Sequence, residues 1–545
     1  MNQKTRQAFF EKYEFLIPLG LVMLFLALTL PGISWGAPST WHPDEIVVRS
    51  IKALFDAEYR FDEVNFDYPT LPQYVMYGLG KVILSLGYSD KEILVSARVL
   101  SAILAGLTVI LTYLIARRAG GNIWVAGLSG LLLICVSEME HNGRFAHNDT
   151  FLIFFTTLAG LCVIEYFNKQ NKFWLYGSFI AVGLAASSKY IGGSLLIVPL
   201  GVYLIIQRKN LRRAPLLVAE TLFISATLTF LGFAAGTPKA LFWMAYYFKR
   251  VFPALEWQAS YGKQPDSVRG ILGQYGVLTD GLGWPLMLLF GAAFIWSCYQ
   301  VRLGYRNRKI EPGSRTGAFA ILLVAILVLD LPMMFSYNYQ LRYFLTLMPL
   351  LAVLAAFFVE ALYLQARQQS GMAYRIMVGM GVSAIVLYSL ARIASLMLLV
   401  VHDARIPASA FMQTLPKGTS LEHTNYPPVI PGNHFEREHN YPIYIVKGNE
   451  PLPTNKRYEF NAGEIGLDDR GTDYLITDSF TYERFSDPYI CASMQAECDF
   501  FKQLDTGQSN HYKLIAEFSY SLPPYLPQIQ VLFVNPTIRV YERIP

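Results

Sequence analysis

Charged residues are scarce in this chain of 545 residues: Asp, Glu, Lys and Arg together make up only 16% of it. Soluble domains carry about a quarter, so the composition argues against a wholly soluble protein. The deficit is uneven, because long uncharged segments recur through the first 400 residues and the last part is ordinary. This distribution indicates a polytopic membrane protein with a soluble C-terminal part.

A basic face of the kind that binds nucleic acid is also lacking. The net charge is only +5, and no cluster of Lys and Arg is interleaved with aromatic residues. Nucleic acid is therefore excluded as a partner, and the positive charge is assigned to loops that face the cytoplasm. The sequence contains no internal repeat and no low-complexity tract.

The eight histidines show no tight metal-ligand spacing such as H-x-x-x-H. We therefore expect no cofactor and no metal. The alternative is a divalent-metal site in which His42, His141 and His147 join the neighbouring acids.

Cysteine is rare, with five residues in the chain. Cys135, Cys162 and Cys298 fall in apolar segments and are expected to be buried thiols. Cys491 and Cys498 lie in the C-terminal part, where two cysteines so widely spaced are no zinc signature. Their spacing leaves a disulfide and two unpaired thiols as open alternatives.

The uncharged segments predict about eleven transmembrane helices, because a helix needs roughly 20 apolar residues to cross the bilayer core. The first lies between Phe15 and Pro43, where no charged side chain occurs. A cleaved signal peptide is the alternative for this segment, although its apolar run exceeds the usual signal core of about 7–15 residues. The further candidate spans are residues 93–115, 122–137, 149–168, 173–188, 190–207, 214–236, 279–300, 315–335, 341–364 and 374–401.

Basic residues mark the cytoplasmic side of these spans. They concentrate in alternate connections: the N-terminus, "ARRAGG", "NKQNK", "QRKNLRR", "VRLGYRNRK" and "ARQQSGMAYR". Because cytoplasmic loops carry the excess of Lys and Arg, the loops 35–92 and 237–278 and the C-terminal part then face outward. This assignment requires "SSKYIGG" to be a tight turn between the fifth and sixth spans.

The C-terminal part predicts a separate soluble domain. "DYLITDSF", "HYKLIAEFSY" and "IQVLFVNPTIRVYERI" mix β-branched and aromatic residues with polar ones between breaks rich in Pro and Gly, which is typical of short strands. The predicted fold is an α-helical polytopic membrane module over residues 1–401, followed by a small extracytoplasmic α/β domain over residues 402–545.

Several charged side chains lie at the predicted outer ends of the spans, where the positive-inside bias should deplete cations. For each cation alone, reaching the lipid headgroups is an equal alternative to a functional role. Together they indicate a polar pocket at membrane depth. The residues concerned are Asp44, Glu45, Arg144, Asp149, Lys189 and Arg342.

A pocket of this kind suits an anionic lipid headgroup whose tails stay in the bilayer. Arg and Lys side chains neutralise a phosphate, and a carboxylate takes a proton from an attacking hydroxyl. The chemistry indicated is group transfer from a lipid phosphate, with the cations stabilising the leaving phosphate.

Five motifs in this order resemble the GT-C membrane glycosyltransferases. Within that class the chain is similar to the group of protein O-mannosyltransferases and aminoarabinose transferases, which use polyprenyl-phosphate sugars. The motifs are the acidic pair of "WHPDE", the Tyr/Pro-rich "FDYPTLPQYVMYGLG", "GRFAHNDTFLIFF", "AASSKYIGG" and "LRYFLTLMPLLAVLAA". "DARIPASAFMQTLPKGTSL" is like the opening of the outer domain in many bacterial relatives.

The resemblance implies a role for each matching residue and transfer with inversion. Asp44 would be the general base, and Glu45 would position the donor or the acceptor. The donor phosphate would be held by three cations, and the substrate pocket would be lined by three further side chains. The cations are Arg144, Lys189 and Arg342, and the pocket residues are Tyr68, His147 and Asp149, the last of which would otherwise orient Arg144.

Two departures from the group limit the prediction. Aminoarabinose transferases carry a Lys beside the Tyr/Pro segment, where this chain has Asp67-Tyr68-Pro69-Thr70. The loop 237–278 is too short for the β-trefoil of animal and fungal O-mannosyltransferases. The acceptor therefore stays open among lipid, glycan and protein, and the expected location is a prokaryotic plasma membrane.

Two other functions stay open. A multi-pass transporter would use Asp330, which lies inside a predicted span in "LVLDLPMM". A non-catalytic protein that binds the lipid carrier would leave the acids without a proton to move.

Overall fold

The computed structural model describes residues 14–43, 45, 68–260, 270–336, 339–369, 372–440 and 471–544. They form two compact units, one within Met1–Ile33 and Asp44–Ala394 and the other within Ser34–Pro43 and Ser395–Pro545. The predicted boundary after residue 401 stays a prediction. The division by compactness falls after Ala394, and the second unit includes the short segment Ser34–Pro43.

The first unit is helical. Two 3₁₀ segments, Tyr190–Leu196 and Leu341–Leu347, lead directly into the α-helices that follow them. The α-helices are α1 (Leu16–Thr29), α2 (Leu71–Ser85), α3 (Asp90–Arg118), α4 (Ile123–Ile134), α5 (Ser137–Gly143), α6 (Asn148–Lys169), α7 (Lys172–Ser188), α8 (Ile197–Ile206), α9 (Asn210–Arg213), α10 (Pro215–Gly236), α11 (Lys239–Phe242), α12 (Met244–Ser260), α13 (Ile271–Leu282), α14 (Trp284–Arg306), α15 (Arg315–Met334), α16 (Met348–Gln369) and α17 (Met372–Val401).

Seven helical segments among the described residues are long and apolar enough to cross a membrane, and the number is eight if a bent pair counts as one span. The seven are α3, α6, α10, α14, α15, the segment Leu341–Gln368 and the segment Met372–Met412. A polytopic helical membrane module is thus confirmed, but the predicted count of eleven is not.

The remaining predicted spans are short or interrupted. α1 has only 14 residues and ends just before Pro31 and Gly32, and the 17 residues of α7 also fall below the length of a full span. The predicted span 122–137 ends early, because α4 and α5 form a pair bent by 65°. The predicted span 190–207 starts as a 3₁₀ segment before α8.

The core of the first unit forms where α6 packs against α3 and α7, and where α7 packs against α10. Small residues allow the closest of these contacts. A Cβ on Gly183 of α7 would lie 2.2 Å from the carbonyl oxygen of Thr229 on α10, so only glycine fits there. Close approach through small residues is typical of helix pairs in membranes.

The second unit is built on a five-stranded sheet, as the strand-like segments predicted. The strands β1 (Ser420–His423), β2 (Arg437–Asn440), β3 (Tyr474–Asp478), β4 (Tyr512–Phe518) and β5 (Ile538–Arg543) lie in the order β2-β1-β3-β5-β4. β1 pairs in parallel with β2 and β3, and β5 pairs antiparallel with β3 and β4.

Short helices accompany the sheet: α18 (Arg405–Met412), α19 (Ser479–Tyr482), α20 (Pro488–Ser493) and α21 (Gln495–Thr506), with a 3₁₀ turn at Glu483–Ser486. Cys491 and Cys498, left open by the sequence, form a disulfide with a Cα–Cα distance of 5.2 Å. It links α20 to α21 beside the buried side chains Phe485 and Phe501.

Candidate functional site

The start of α6 places a charged cluster at the bend that follows α5. His147 is the N-cap of α6, and its Nδ1 accepts a hydrogen bond from the backbone N–H of Asp149. The Asp149 carboxylate lies in the first turn, where the positive end of the helix dipole favours an anion. Its Oδ2 lies 3.0 Å from His147 Nδ1, and its Oδ1 lies 2.8 Å from Lys189 Nζ.

Lys189 and Arg342 are positioned by the same local structure. Lys189 is the extended residue directly before the 3₁₀ segment Tyr190–Leu196. Arg342 is the second residue of the 3₁₀ segment Leu341–Leu347, which follows the extended residue Gln340. Both cations face the ring of Tyr343: Lys189 Nζ lies 4.7 Å from its centroid and the Arg342 guanidinium carbon lies 5.3 Å from it. The two cationic groups are therefore at most about 10 Å apart.

Other predicted pocket residues join this cluster. The ring of Tyr68 lies 6.3 Å from the ring of His147, edge to face, and Tyr68 is close enough to Lys189 for their charges to interact. Arg342 interacts electrostatically with Asp149 as well. The structure thus brings Tyr68, His147, Asp149, Lys189 and Arg342 together, although they come from four separate parts of the sequence.

Hydrogen bonds between the ends of neighbouring helices hold the cluster in place. Asn148 Nδ2 donates to the carbonyl oxygen of Ser188 at 3.1 Å, which ties the start of α6 to the end of α7. The hydroxyls of Ser187 and Thr237 lie 2.8 Å apart, and Thr70 Oγ1 donates to the carbonyl oxygen of Gly236 at 2.7 Å. These bonds fix the backbone just before Lys189 and just after Tyr68.

Packing also constrains Arg342. A Cβ on Gly281, at the end of α13, would lie 2.0 Å from Cδ2 of Leu341. Only glycine lets α13 approach the 3₁₀ segment so closely. Arg342 itself is 8% exposed, so its guanidinium is largely shielded from bulk water. A charge interaction is stronger in such a shielded place than in water.

Glu45 is held by an arginine that the sequence did not single out. Arg98 Nε and Nη2 donate to the two carboxylate oxygens of Glu45, each at 2.8 Å, and both side chains are fully buried. Glu45 Oε1 also accepts from the backbone N–H of Ala146 at 3.0 Å. These bonds anchor the Glu45 carboxylate to Arg98 and to the loop between α5 and α6.

Arg144 makes contacts that differ from those predicted. Its guanidinium donates to the Glu140 carboxylate and to the carbonyl oxygens of Pro31 and Leu28, the last at 2.7 Å. These partners connect α5 to the end of α1 and use the hydrogen-bonding edges of the guanidinium. Phosphate binding by Arg144 stays a prediction, and Asp149 contacts Lys189 rather than Arg144.

Asp44, the predicted general base, lies outside the described residues. In the described part of the chain, no three His, Cys, Asp or Glu side chains are arranged to hold a metal, and the expectation of no metal stays a prediction. Of its proposed ligands, His147 pairs with Asp149, while the ring of His42 packs edge to face on Phe533 of the second unit.

Tyr343 and Arg98 are the site residues that sequence reasoning missed. An aromatic residue next to Arg342 was a weak signal, because aromatic residues are frequent in this chain. Arg98 was the stronger signal: it is a charged side chain within a predicted membrane span, and such residues face a partner.

The dolichyl-phosphate-mannose-protein mannosyltransferase family matches residues 76–247, a range that contains Arg144, His147, Asp149 and Lys189. Dolichyl-phosphate-mannose–protein mannosyltransferase 1 of Saccharomyces cerevisiae is 26% identical over 198 residues, which cover 35% of this chain and 22% of that protein. An uncharacterized protein of Aquifex aeolicus is 36% identical over 121 residues, covering 22% and 24%. The matched stretch is thus less than a quarter of either relative's length.

The fold is similar to that of the archaeal oligosaccharyltransferase AglB from Archaeoglobus fulgidus, solved with an inhibitory peptide and a dolichol-phosphate. The TM-score is 0.55 at 12% identity, over 98% of this chain and 89% of that one. The matching family is one of mannosyltransferases, and the similar fold is that of an oligosaccharyltransferase. The resemblance to the GT-C glycosyltransferases that the motifs predicted is therefore confirmed, with its sequence match to the protein mannosyltransferase family in residues 76–247.

Proposed function

We propose that this protein transfers a sugar from a polyprenyl-phosphate donor to an acceptor hydroxyl at the extracytoplasmic face of the membrane, with inversion. One observation carries the proposal: Lys189 and Arg342 converge on the ring of Tyr343 beside Asp149, His147 and Tyr68. Beyond their interactions with the Asp149 carboxylate, the two cations offer N–H donors and positive charge to a further anion. A lipid phosphate supplies that anion and keeps its tail in the bilayer.

The cations have complementary tasks at the phosphate. Arg342 offers several N–H donors in one plane, which suits two phosphate oxygens, while Lys189 acts as a point charge. Asp149 keeps Lys189 in place through the 2.8 Å contact and leaves its other ammonium hydrogens for the donor. As the bond from the sugar to the phosphate breaks, charge grows on the phosphate, and these two side chains stabilise it.

The chemical step needs one base. The acceptor oxygen attacks the anomeric carbon opposite the phosphate, the bond from that carbon to the phosphate oxygen breaks, and the phosphate leaves with the electron pair. The acceptor proton passes to Asp44, in accordance with the match of "WHPDE" to the acidic pair. Glu45, held by Arg98 and Ala146, is occupied as a hydrogen-bond acceptor and serves to position the pair.

The donor class and the location draw support from two further observations. AglB, which has a similar fold, binds dolichol-phosphate, and the matched family takes its name from dolichyl-phosphate-mannose. The disulfide between Cys491 and Cys498 suits an oxidising compartment, as expected if the second unit lies outside a plasma membrane. No metal is required in this scheme, because the phosphate charge is met by side chains.

Transfer by the purified protein tests the proposal. The protein is incubated with labelled polyprenyl-phosphate sugars and with lipid, glycan and peptide acceptors, and the anomeric configuration of any product is determined by NMR. We expect turnover with inversion, and a loss of about 10²–10⁴-fold in Asp44→Asn, the range for removing a general base. Arg315→Gln, which removes an exposed ion pair with Glu360, is the matched control and should retain the wild-type rate.

Binding of the lipid phosphate without turnover under every acceptor condition would contradict the enzymatic proposal and favour a carrier-binding protein. A transporter would instead depend on Asp330. In the structure this carboxyl is hydrogen-bonded to Gln274.

A further inference from the structure

The short helix α5 carries two acidic side chains that face opposite ways. Glu138 and Glu140 are two residues apart, which on an α-helix places them about 200° apart around the axis. Each contacts the side chain four residues further on: Glu140 pairs with Arg144, and Glu138 is hydrogen-bonded to Asn142. The Glu140–Arg144 pair bonds to the end of α1, so the Glu138–Asn142 pair lies on the other face of α5.

The face of α5 that carries Glu138 is turned towards the cationic cluster. Glu138 interacts electrostatically with Arg342, and α5 packs against the 3₁₀ segment that contains Arg342. The preceding residues of both segments meet at Gly281: Ser137 Oγ donates to its carbonyl oxygen at 3.1 Å, and Leu341 packs closely against it. Glu138 and Arg342 therefore follow two residues that share one neighbour.

Asn142 has used its hydrogen-bond donors and kept an acceptor. Its Nδ2 donates to the carbonyl oxygen of Glu138 at 2.9 Å and to Glu138 Oε1 at 2.8 Å. Its Oδ1 is buried and accepts no hydrogen bond from the residues that the structure describes. A buried carbonyl oxygen without a donor costs stability. A ligand that donates a hydrogen bond to Oδ1 removes this cost.

Glu138 offers a second acceptor beside the first. Asn142 occupies its Oε1, whereas its Oε2 has no hydrogen-bond partner in the described part of the chain. The side chain is half-buried, and Oε2 stays accessible. Two oxygen acceptors, one on a carboxylate and one on a neutral amide, thus lie side by side, and both require donors.

We propose that Glu138 and Asn142 bind hydroxyl groups of the transferred sugar and so determine which sugar the protein accepts. The proposal rests on the proposed function. A sugar linked to a phosphate at Lys189 and Arg342 lies beside α5, because Glu138 interacts with the same Arg342. Its hydroxyl groups supply the donors that the two oxygens lack, and a hydrogen bond from a hydroxyl to a carboxylate is stronger than one between neutral groups.

The surrounding charges favour a hydroxyl over a charged group at this place. An anionic substituent on the sugar would be repelled by the Glu138 and Asp149 carboxylates, which interact with each other electrostatically. A cationic substituent would be repelled by Arg342 and Lys189. A neutral hydroxyl avoids both repulsions and still bonds to both oxygens.

Donors that each lack one hydroxyl test the proposal in the full-length protein. The labelled polyprenyl-phosphate sugar that the wild type turns over and its monodeoxy analogues are compared by kcat/KM in wild type and in Glu138→Gln. In the wild type we expect at least one analogue to lose about 10–100-fold, the range for a hydrogen bond to a charged group. Glu138→Gln should lower kcat/KM for the parent donor by a similar factor and leave that analogue within about threefold of its wild-type value.

Two further variants accompany this comparison. Asn142→Leu, which removes the second acceptor, should reduce the discrimination against one analogue in the same way. Glu311→Gln is the matched control, because Glu311 is an exposed acid in the loop between α14 and α15. It should keep the wild-type rates and the wild-type discrimination.

Three outcomes are decisive against these assignments. An equal loss for the parent donor and every analogue in Glu138→Gln would indicate a structural role and overturn the inference. A wild-type preference for an amino-sugar donor that disappears in Glu138→Gln would also overturn it, because the carboxylate would then bind an ammonium group. Failure of the proposed function is recognised separately, because wild-type protein would then turn over none of the donors.

Discussion

Replacing Lys189 by Met separates the two tasks assigned to this lysine, phosphate binding and pairing with Asp149. Its ammonium lies 2.8 Å from Asp149 Oδ1, and its side chain is 15% exposed. Removing one preorganised donor from a site of developing charge costs about 10²–10³-fold in kcat. Because Arg342 remains as a second cation, we expect a loss near the lower end of that range, about 10²-fold.

The same substitution destabilises the fold, because it leaves the Asp149 carboxylate, which is 1% exposed, without its cation. Breaking a buried pair in this way costs about 3–5 kcal/mol. Arg342 still interacts electrostatically with Asp149, so we expect a value of about 3 kcal/mol. The double variant Asp149→Asn with Lys189→Met removes both charges and should recover most of the stability but none of the activity.

The assay measures the transfer rate and the thermal unfolding midpoint of the detergent-solubilised protein for each variant. Lys172→Met is the matched control: Lys172 begins the same helix that ends before Lys189, and its Nζ donates to Thr221 at 3.0 Å. It should retain the wild-type rate. Recovery of both stability and activity in the double variant would refute a role for Lys189 at the phosphate.

Three further predictions address the backbone, the charge of the second unit and the metal. Gly192→Ala should lower the transfer rate, because the new Cβ would lie 2.5 Å from the backbone of Ala185 and push the segment after Lys189 away. Gly193→Ala is the control and should keep the wild-type rate, since its Cβ would meet only the Ala186 methyl at 3.5 Å. Burial without a hydrogen-bond partner raises the pKa of Glu497 from 4.5 to about 7, so the folded state binds its proton more tightly and stability falls as pH rises from 4.5 to 7. Glu497→Gln should remove this dependence and be more stable than wild type at pH 8 by about 2 kcal/mol in thermal unfolding, and parallel pH profiles of the two proteins would contradict the assignment. Chelation by EDTA should leave the transfer rate within about twofold, because side chains meet the phosphate charge; a loss restored by a divalent cation would contradict this.

The sequence predicted those site residues whose charged side chains stand at the end of a long apolar segment. Asp149 and Lys189 were found in this way, because positive-inside bias makes a cation at an outer helix end unusual. The pairing between them was not found, since it joins residues 40 positions apart and depends on how α6 packs against α7.

The hydrogen-bond partners of Glu45 were also beyond sequence reasoning. Its partner Arg98 lies 53 residues away, and its other donor, the backbone N–H of Ala146, carries no sequence signal at all. Whether an acidic side chain is a base or an anchor is decided by its hydrogen bonds, and these are tertiary contacts.

The count of spans failed for a related reason. Apolar length predicts that a segment can enter the membrane, but not that it crosses in one straight helix. The α4–α5 pair is bent by 65°, and the segment after Lys189 begins as a 3₁₀ turn. The hydropathy of these two segments does not distinguish them from straight helices. These breaks were hidden in the sequence, yet they are where the site forms.

Breaks in the helices explain how this fold presents charge within an apolar layer. A continuous helix satisfies its own backbone and carries a charged side chain only along its surface, where lipid opposes it. Where a helix stops, the chain turns inward, and the first residue of the next segment lies at the depth of the helix end. Lys189 lies directly before such a segment, Arg342 is the second residue of another, and Asp149 lies in the first turn of α6. The three interruptions supply two cations and one balancing anion around a single tyrosine ring, so a substitution that straightens any of them should abolish phosphate binding without removing a charge.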